Sequence, residues 1–444
     1  MRKLALLACF ISTASLAGGT YVRIPAGEFT SVLKYEDNKG RQKMPAFELM
    51  RRPVTNAEFL AFVRKYPQWQ RGKVPKAFAE PMHYLSPLQS SLSPGPKVKP
   101  QQPVTQVSWF AATAYCEAQD ARLPTWNEWE YTAAADRTRR DARKDPAWRE
   151  SILSWYAKPS NTPIADVGRT PANVYGIQDL NGLVWEWTED YSAMMVSADN
   201  RNQSDPDKSK FCGASALSMD DKENYAMLMR VAMRSIAPRT SASAAQDPYD
   251  ERHMNKILFA FLFSLSLAGH AAPAKPTPLP GDSVLQISHV FTNQDAKNFK
   301  LIERRGKPQL VAMFYTSCKY ICPLIIDSAK GVDNSLTPVE RKKLSILLVS
   351  IDPARDSPAA LMYIVNKRKL DTARWTLART DEKGVRTLAA LLGVRYRVLS
   401  DGEFNHTSAL ILLDAEGRVV TRTETLGSKP DPQFLAAVKK TLAK

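Results

Sequence analysis

The chain has 444 residues, enough for two or three domains that each bury a core of their own. Hydrophobic residues make up 44% and charged residues 24%, which excludes wholesale disorder. The formal net charge of +16 permits attraction to an anionic surface, a membrane included, but no basic-aromatic module accompanies it, so nucleic acid is not an expected partner.

In chain order, the first element is a secretory signal pattern over 1–19: Arg2 and Lys3, the apolar run Leu4 to Ile11, and the small-residue site Ser15-Leu16-Ala17. It predicts export to a bacterial periplasm, where cysteines can oxidise. Of the five cysteines, Cys9 leaves with the signal. Cys116, Cys212, Cys318 and Cys322 remain, too few for a disulfide-stapled scaffold.

From Tyr21 to about Ser235 the sequence is rich in Trp, short apolar runs and turn residues. A helix is predicted after the N-cap Ser108, with Trp109, Ala112, Tyr115 and Cys116 at helical spacing. A second begins at Thr125, where Thr125 and Glu128 have capping-box spacing. Four ordered segments stand here: YVRIPAGEF (Tyr21–Phe29), RPVTNAEFLAFV (Arg52–Val63), PVTQVSWFAATAYCEAQDARLPTWNEWEYTAAA (Pro103–Ala135) and ANVYGIQDLNGLVWEWTEDY (Ala172–Tyr191). Together they resemble the formylglycine-generating-enzyme (sulfatase-modifying factor) family. The resemblance implies an irregular α+β domain related to C-type lectins over 20–247, with Trp and Arg motifs that mainly build its core.

In that family a cysteine pair binds copper(I) shortly before an R-x-A-x-R-S stretch. Here that stretch is RVAMRS (Arg230–Ser235), and the DKENYAMLM before it holds no cysteine. Without two thiolates there is neither a soft ligand pair nor an activated sulfur, so a non-catalytic binding or scaffold domain is expected. Leu183 replaces the asparagine of the family's G-N-V-W-E-W motif, which weakens any calcium site the resemblance implies. Cys116 by itself reads as core. By resemblance it would pair with the cysteine of a closing G-F-R-C motif, and that motif is missing.

In its place stands SASAAQDPYDERHM (Ser241–Met254), which leads into a junction over 248–281 that contains a second signal-like segment. Met254, Lys256 and the apolar run Ile257 to about Ala268 precede small residues and the Pro-rich PAKPTPLPGD. A closing motif encoded ctc-ggc-ttc-cgc-tgc-gca, read one base late, gives Ser-Ala-Ser-Ala-Ala, which matches Ser241 to Ala245. The junction therefore reads as a one-base slip joining two adjacent genes. The alternative is a true fusion tethered to the membrane by the apolar run, which falls short of the ~20 residues a spanning helix needs.

From about Asp282 strands alternate with helices. Pro308–Ser317 and Leu344–Asp352 are apolar β-runs, Pro358–Leu370 and Glu382–Gly393 read as helices, and Ser408–Glu424 reads as a hairpin turning at Glu416-Gly417. The alternation implies a central sheet with helices on its faces. Just after the first run comes YTSCKYICP (Tyr315–Pro323). Two cysteines four apart, entering a helix, place both sulfurs at its N-terminus, where the dipole and free amides favour thiolate. Such a pair serves as a redox dithiol, as two soft copper ligands, or as a structural disulfide. His406 offers a third ligand, since imidazole binds copper readily.

FYTSCKYICP, SIDPARDSP (Ser350–Pro358), LAALLGVRY (Leu388–Tyr396) and NHTSALILLDAEG (Asn405–Gly417) resemble the Sco/SenC family, thioredoxin-like periplasmic proteins that deliver copper. The resemblance implies an α/β thioredoxin-like domain over 282–444. Within it Cys318, Cys322 and His406 would hold one copper ion, while Asp352, Arg355 and Asp356 lend hydrogen-bonded support. Arg379 departs from the glycine that relatives often carry, and His289 is expected at the surface. The implied partner is a copper-accepting protein, an oxidase or a cupredoxin-type enzyme. A Cys318–Cys322 disulfide would block the metal. The rival reading is a thiol-disulfide oxidoreductase that reduces the acceptor's cysteines.

Overall fold

The computed structural model describes residues 20–33, 40–96, 98–156, 158, 162–190, 277–318, 321–399 and 401–444. Both signal-like segments, Cys212, the RVAMRS stretch and most of the junction lie outside the described residues. Contacts divide the chain into two units. One holds the described residues of 1–158, 162–244 and 395–406; the other holds those of 245–394 and 407–444.

Short strands and short helices joined by long turns build the first unit, as an irregular α+β domain requires. β1 (Tyr21–Ile24), β2 (Gly27–Thr30), β3 (Arg41–Met44) and β4 (Phe47–Met50) form two antiparallel pairs, β1 with β4 and β2 with β3. The helices are α1 (Asn56–Lys65), α2 (Trp109–Glu117), α3 (Trp126–Ala133) and α4 (Pro146–Tyr156). Ser108 caps α2 as expected, its hydroxyl accepting from the Ala111 amide at 3.2 Å.

α1 and α3 start with the same seven-residue device, an Arg, a Thr three residues on and a Glu three beyond that. Arg52 grips Glu58 with both Nη atoms at 3.1 Å, and Arg122 grips Glu128 at 2.7 and 2.6 Å. Each glutamate also accepts the N-cap threonine's amide at 2.8 Å, completing a capping box at Thr55 and at Thr125. The fork geometry of guanidinium and the orphan amides of a helix start are satisfied by one carboxylate. The aromatic residues make the core. Phe59, Phe62 and Tyr115 pack at 5.3–5.6 Å between ring centroids, and Trp129 donates to Glu186 at 2.7 Å. Burying each such ring stabilises the unit by roughly 1.5–3 kcal/mol.

The second unit is built on a sheet. Its strands are β5 (Val290–Asn293), β6 (Asn298–Lys300), β7 (Gln309–Phe314), β8 (Ser345–Ser350) and β9 (Trp375–Arg379). β10 (Tyr396–Val398) and β11 (Phe404–His406) pair with each other and fall in the first unit. β12 (Leu410–Leu413) and β13 (Val419–Thr423) complete the sheet, whose order is β13-β12-β7-β8-β9-β5-β6. β7, β8 and β9 run parallel, so each link must cross over, and α5 (Ile321–Asn334), α6 (Pro338–Lys343) and α7 (Pro358–Arg368) lie in those links. α8 (Glu382–Leu392) and α9 (Pro432–Leu442) follow β9 and β13. Every residue of β7 is buried, which is why its sequence reads as an apolar run from Leu310 to Phe314. The β12–β13 hairpin turns where expected. Gly417 has φ +79°, and a Cβ there would meet Leu285 Cγ at 2.3 Å.

The expected periplasmic location with membrane tethering needs correction. Among the described residues no helix is long and apolar enough to cross a membrane. The longest, α5, has 14 residues where a span needs about 20.

Candidate functional site

The carboxyl ends of the parallel strands β7, β8 and β9 open onto one end of the sheet, the usual place for chemistry in such folds. From β7 the chain passes Tyr315, Thr316 and Cys318 before α5 begins at Ile321. The structure brings the two cysteines together. The Cys322 amide donates to Cys318 Sγ at 3.3 Å, so the first sulfur sits over the opening turn of α5 and accepts one of its orphan amides. The Tyr315 amide donates to Cys322 Sγ at 3.4 Å. Cys318 and Cys322 are not joined in a disulfide.

The two thiols differ in setting. Cys318 is half-buried, whereas Cys322 is 3% exposed. Burial pushes the Cys322 thiol well above its ordinary range; the neighbouring Cys318 and the charge of Asp356 add to this, and the Tyr315 amide opposes it. At Cys322 burial opposes the thiolate that a helix N-terminus favours.

The loop after β8 supports this pair. Asp356 is fully buried and accepts from Ser350 Oγ at 2.5 Å, from the Thr316 amide at 3.0 Å and from the Thr316 hydroxyl. Burial raises its pKa, against the bonds from Ser350 and Thr316. Asp352 is bonded to the side chain and the amide of Arg355, and the Asp356 amide donates to Asp352 O at 3.0 Å. This is the hydrogen-bonded support expected of the D-P-A-R-D stretch. Thr316 and Ser350 were not singled out in the sequence, although Thr316 stands within YTSC and Ser350 directly before the loop.

His406 ends β11 opposite Tyr396 and is 1% exposed. Among the described residues no group of three or more His, Cys, Asp or Glu side chains that could hold a metal ion is found. His289 is partly exposed, with Nδ1 3.2 Å from Asp381 Oδ1, in keeping with a surface role.

The first unit contains a cavity of about 540 Å³ that sequence reasoning missed. Tyr21, Leu49, Tyr115, Cys116, Trp129 and Trp187 are among its walls. The Cys116 thiol is pushed up to about 12, first by burial and then by the charges of Glu117 and Glu189.

Residues 11–245 match the family model of the sulfatase-modifying factor enzyme 1-like domain, and residues 279–443 match that of SCO1/SenC. Over 198 residues the chain is 29% identical to hercynine oxygenase of Mycolicibacterium smegmatis, covering 38% of this chain and 45% of that protein. It is 27% identical over 211 residues to inactive C-alpha-formylglycine-generating enzyme 2 of Mus musculus, covering 38% of this chain and 67% of the mouse protein. The chain thus spans less than half the length of the hercynine oxygenase. Among solved structures, copper-bound ScoI of Bradyrhizobium japonicum is 23% identical, with TM-score 0.30, covering 34% of this chain and 96% of that one.

Proposed function

We propose, for a chain that belongs to the sulfatase-modifying factor enzyme 1-like family through residues 11–245 and to the SCO1/SenC family through residues 279–443, that the second half is a copper carrier. It takes one copper ion as cargo on Cys318, Cys322 and His406 and passes it by ligand exchange to a copper enzyme. The observation that carries this reading is the 3.3 Å contact of Cys322 N with Cys318 Sγ, which sets two soft donors side by side at a helix start. His406 is the third ligand of this reading because imidazole binds copper readily.

The first half is a binding or scaffold domain. It has one described cysteine, Cys116, and the DKENYAMLM stretch contains none. The mouse relative's name, which calls that protein inactive, is in keeping with such a role.

Titration of the full chain with copper(I) against a chromophoric chelator tests the carrier. One equivalent taken up by the wild type, and uptake at least about a hundredfold weaker by Cys318→Ser, is expected. His406→Ala is expected to lower affinity while leaving the dithiol's reduction potential broadly similar; unchanged uptake would remove His406 from the ligand set. Turnover on a disulfide substrate without copper uptake would favour the oxidoreductase instead.

A further inference from the structure

Arg379 is the last residue of β9 and is half-buried at the end of the sheet where the cysteine loop and the 351–357 loop leave their strands. Its Nη2 donates to the Pro353 carbonyl at 2.6 Å. Among the described residues it has no carboxylate partner. A half-buried guanidinium is ordinarily matched by an acid, because leaving it unmatched costs free energy. Here the matching group is one neutral carbonyl. That carbonyl is also the only backbone polar group Pro353 possesses, since proline lacks an amide hydrogen.

The same loop is tied on its other side. Asp356 accepts from the Thr316 amide at 3.0 Å and from its hydroxyl, and Ile351 donates to Phe314 O at 2.8 Å. Residues 352–356 are thus clamped between the end of β9, through Arg379, and the end of β7, through Thr316. Cys318 follows Thr316 by two residues.

We infer that Arg379 is a positioning residue for the dithiol. It fixes the 352–356 loop, the loop fixes Thr316 through Asp356, and Thr316 sets where Cys318 stands relative to Cys322. This rests on the reading of the two cysteines as the working pair and adds a residue that neither the cysteine spacing nor the D-P-A-R-D stretch contains. A glycine at this position has no side-chain donor, so the clamp would be a property of the arginine-bearing chain.

The test uses the full chain with Arg379→Met, which keeps the aliphatic stem and removes every donor, and Arg379→Lys, which keeps a donor for the carbonyl. Two quantities are read: the equilibrium of the Cys318–Cys322 couple with glutathione, and copper(I) affinity. In the Met variant the couple is expected to shift about tenfold toward the dithiol, because a loosened loop holds the sulfurs less closely, and copper affinity to fall by about tenfold. The Lys variant should stay within about threefold of wild type on both. A Met variant matching wild type on both readouts overturns the inference, even if its thermal midpoint drops. So does a Lys variant as impaired as the Met variant. Should the wild type take up no copper, the carrier reading fails, while the glutathione equilibrium still tests the clamp.

Discussion

Cys116 in the first unit and the Cys318–Cys322 pair in the second are one residue type in two environments. Cys116 lies near the end of α2 against an apolar cavity wall, and burial takes its thiol up to about 12. Cys318 lies ahead of α5, takes a backbone hydrogen bond and has a second sulfur as its neighbour. Chemistry follows from that placement. Burial holds Cys116 and Cys322 alike toward the thiol, so the difference lies in the second sulfur: two sulfurs at a helix start can close on each other and can take a soft cation between them. The carboxylates make the same contrast. Glu130 in the first unit is fully buried to hold a structure together, with Ser31, the Val32 amide and Arg143 around it. Asp356 in the second is equally buried but faces the loop that carries the cysteines.

The sharpest way to break the comparison is to exchange one atom in each setting. Cys318→Ser should cost at least about a hundredfold in copper affinity, measured by chelator competition, because a hard hydroxyl replaces a soft ligand. Cys116→Ser should leave copper affinity unchanged.

Next in size is Arg143→Ala, which strips the guanidinium, 11% exposed, from the fully buried Glu130 at 3.1 Å. Urea unfolding followed by tryptophan fluorescence should show a loss of about 3–5 kcal/mol in the first unit at neutral pH. The two Arg–Thr–Glu clasps come third. Glu58→Gln and Glu128→Gln each weaken a bidentate ion pair and a capping box, and each should lose about 1–3 kcal/mol. Similar losses from the two would mark the clasps as one device used twice.

The pH dependence is smaller and has a definite sign. Burial raises Glu130 from 4.5 to about 7, against the bonds from Ser31, Arg143 and Val32. A carboxyl raised on folding contributes stability that is complete below its unfolded pKa and is lost as pH rises through the folded one. Glu58 and Glu128 act the other way. Despite burial, their arginine and threonine partners hold them low, so their contribution is present above about 4.5 and lost as pH falls below it. The thermal midpoint of the first unit should therefore be highest near pH 4.5 to 5 and decline toward about pH 7. A midpoint that climbs steadily through that range would show that Glu130 is not the controlling group.

The second half was the easier to read. β7 and β8 announce themselves as apolar runs because both faces of a parallel strand are covered, and Gly393 and Gly417 mark a helix end and a hairpin turn through their positive φ. β9 went unread because Trp375 to Arg379 mixes apolar and polar residues, and the β5–β6 hairpin because its strands are short and half-exposed. In the first half, the clasp at Thr125 was legible from a threonine and a glutamate three apart. Thr55 and Glu58 carry the identical spacing two residues after Pro53. The cysteine pair was fully legible from its spacing and context. What could not be read were contacts made across the sheet, Asp356 to Thr316 and Arg379 to Pro353, since they join residues 40 and 26 positions apart. The burial that pushes the Cys322 thiol up is likewise a property of packing, not of the nearby sequence.

Copper-edge X-ray absorption on the copper-loaded full chain measures the central claim at the metal itself. Two sulfur scatterers in the wild type, falling to one in Cys322→Ser, is the predicted result. A first shell of nitrogen and oxygen alone, or a sulfur count that does not change with the serine, would contradict the assignment of Cys318 and Cys322 as the copper-holding pair.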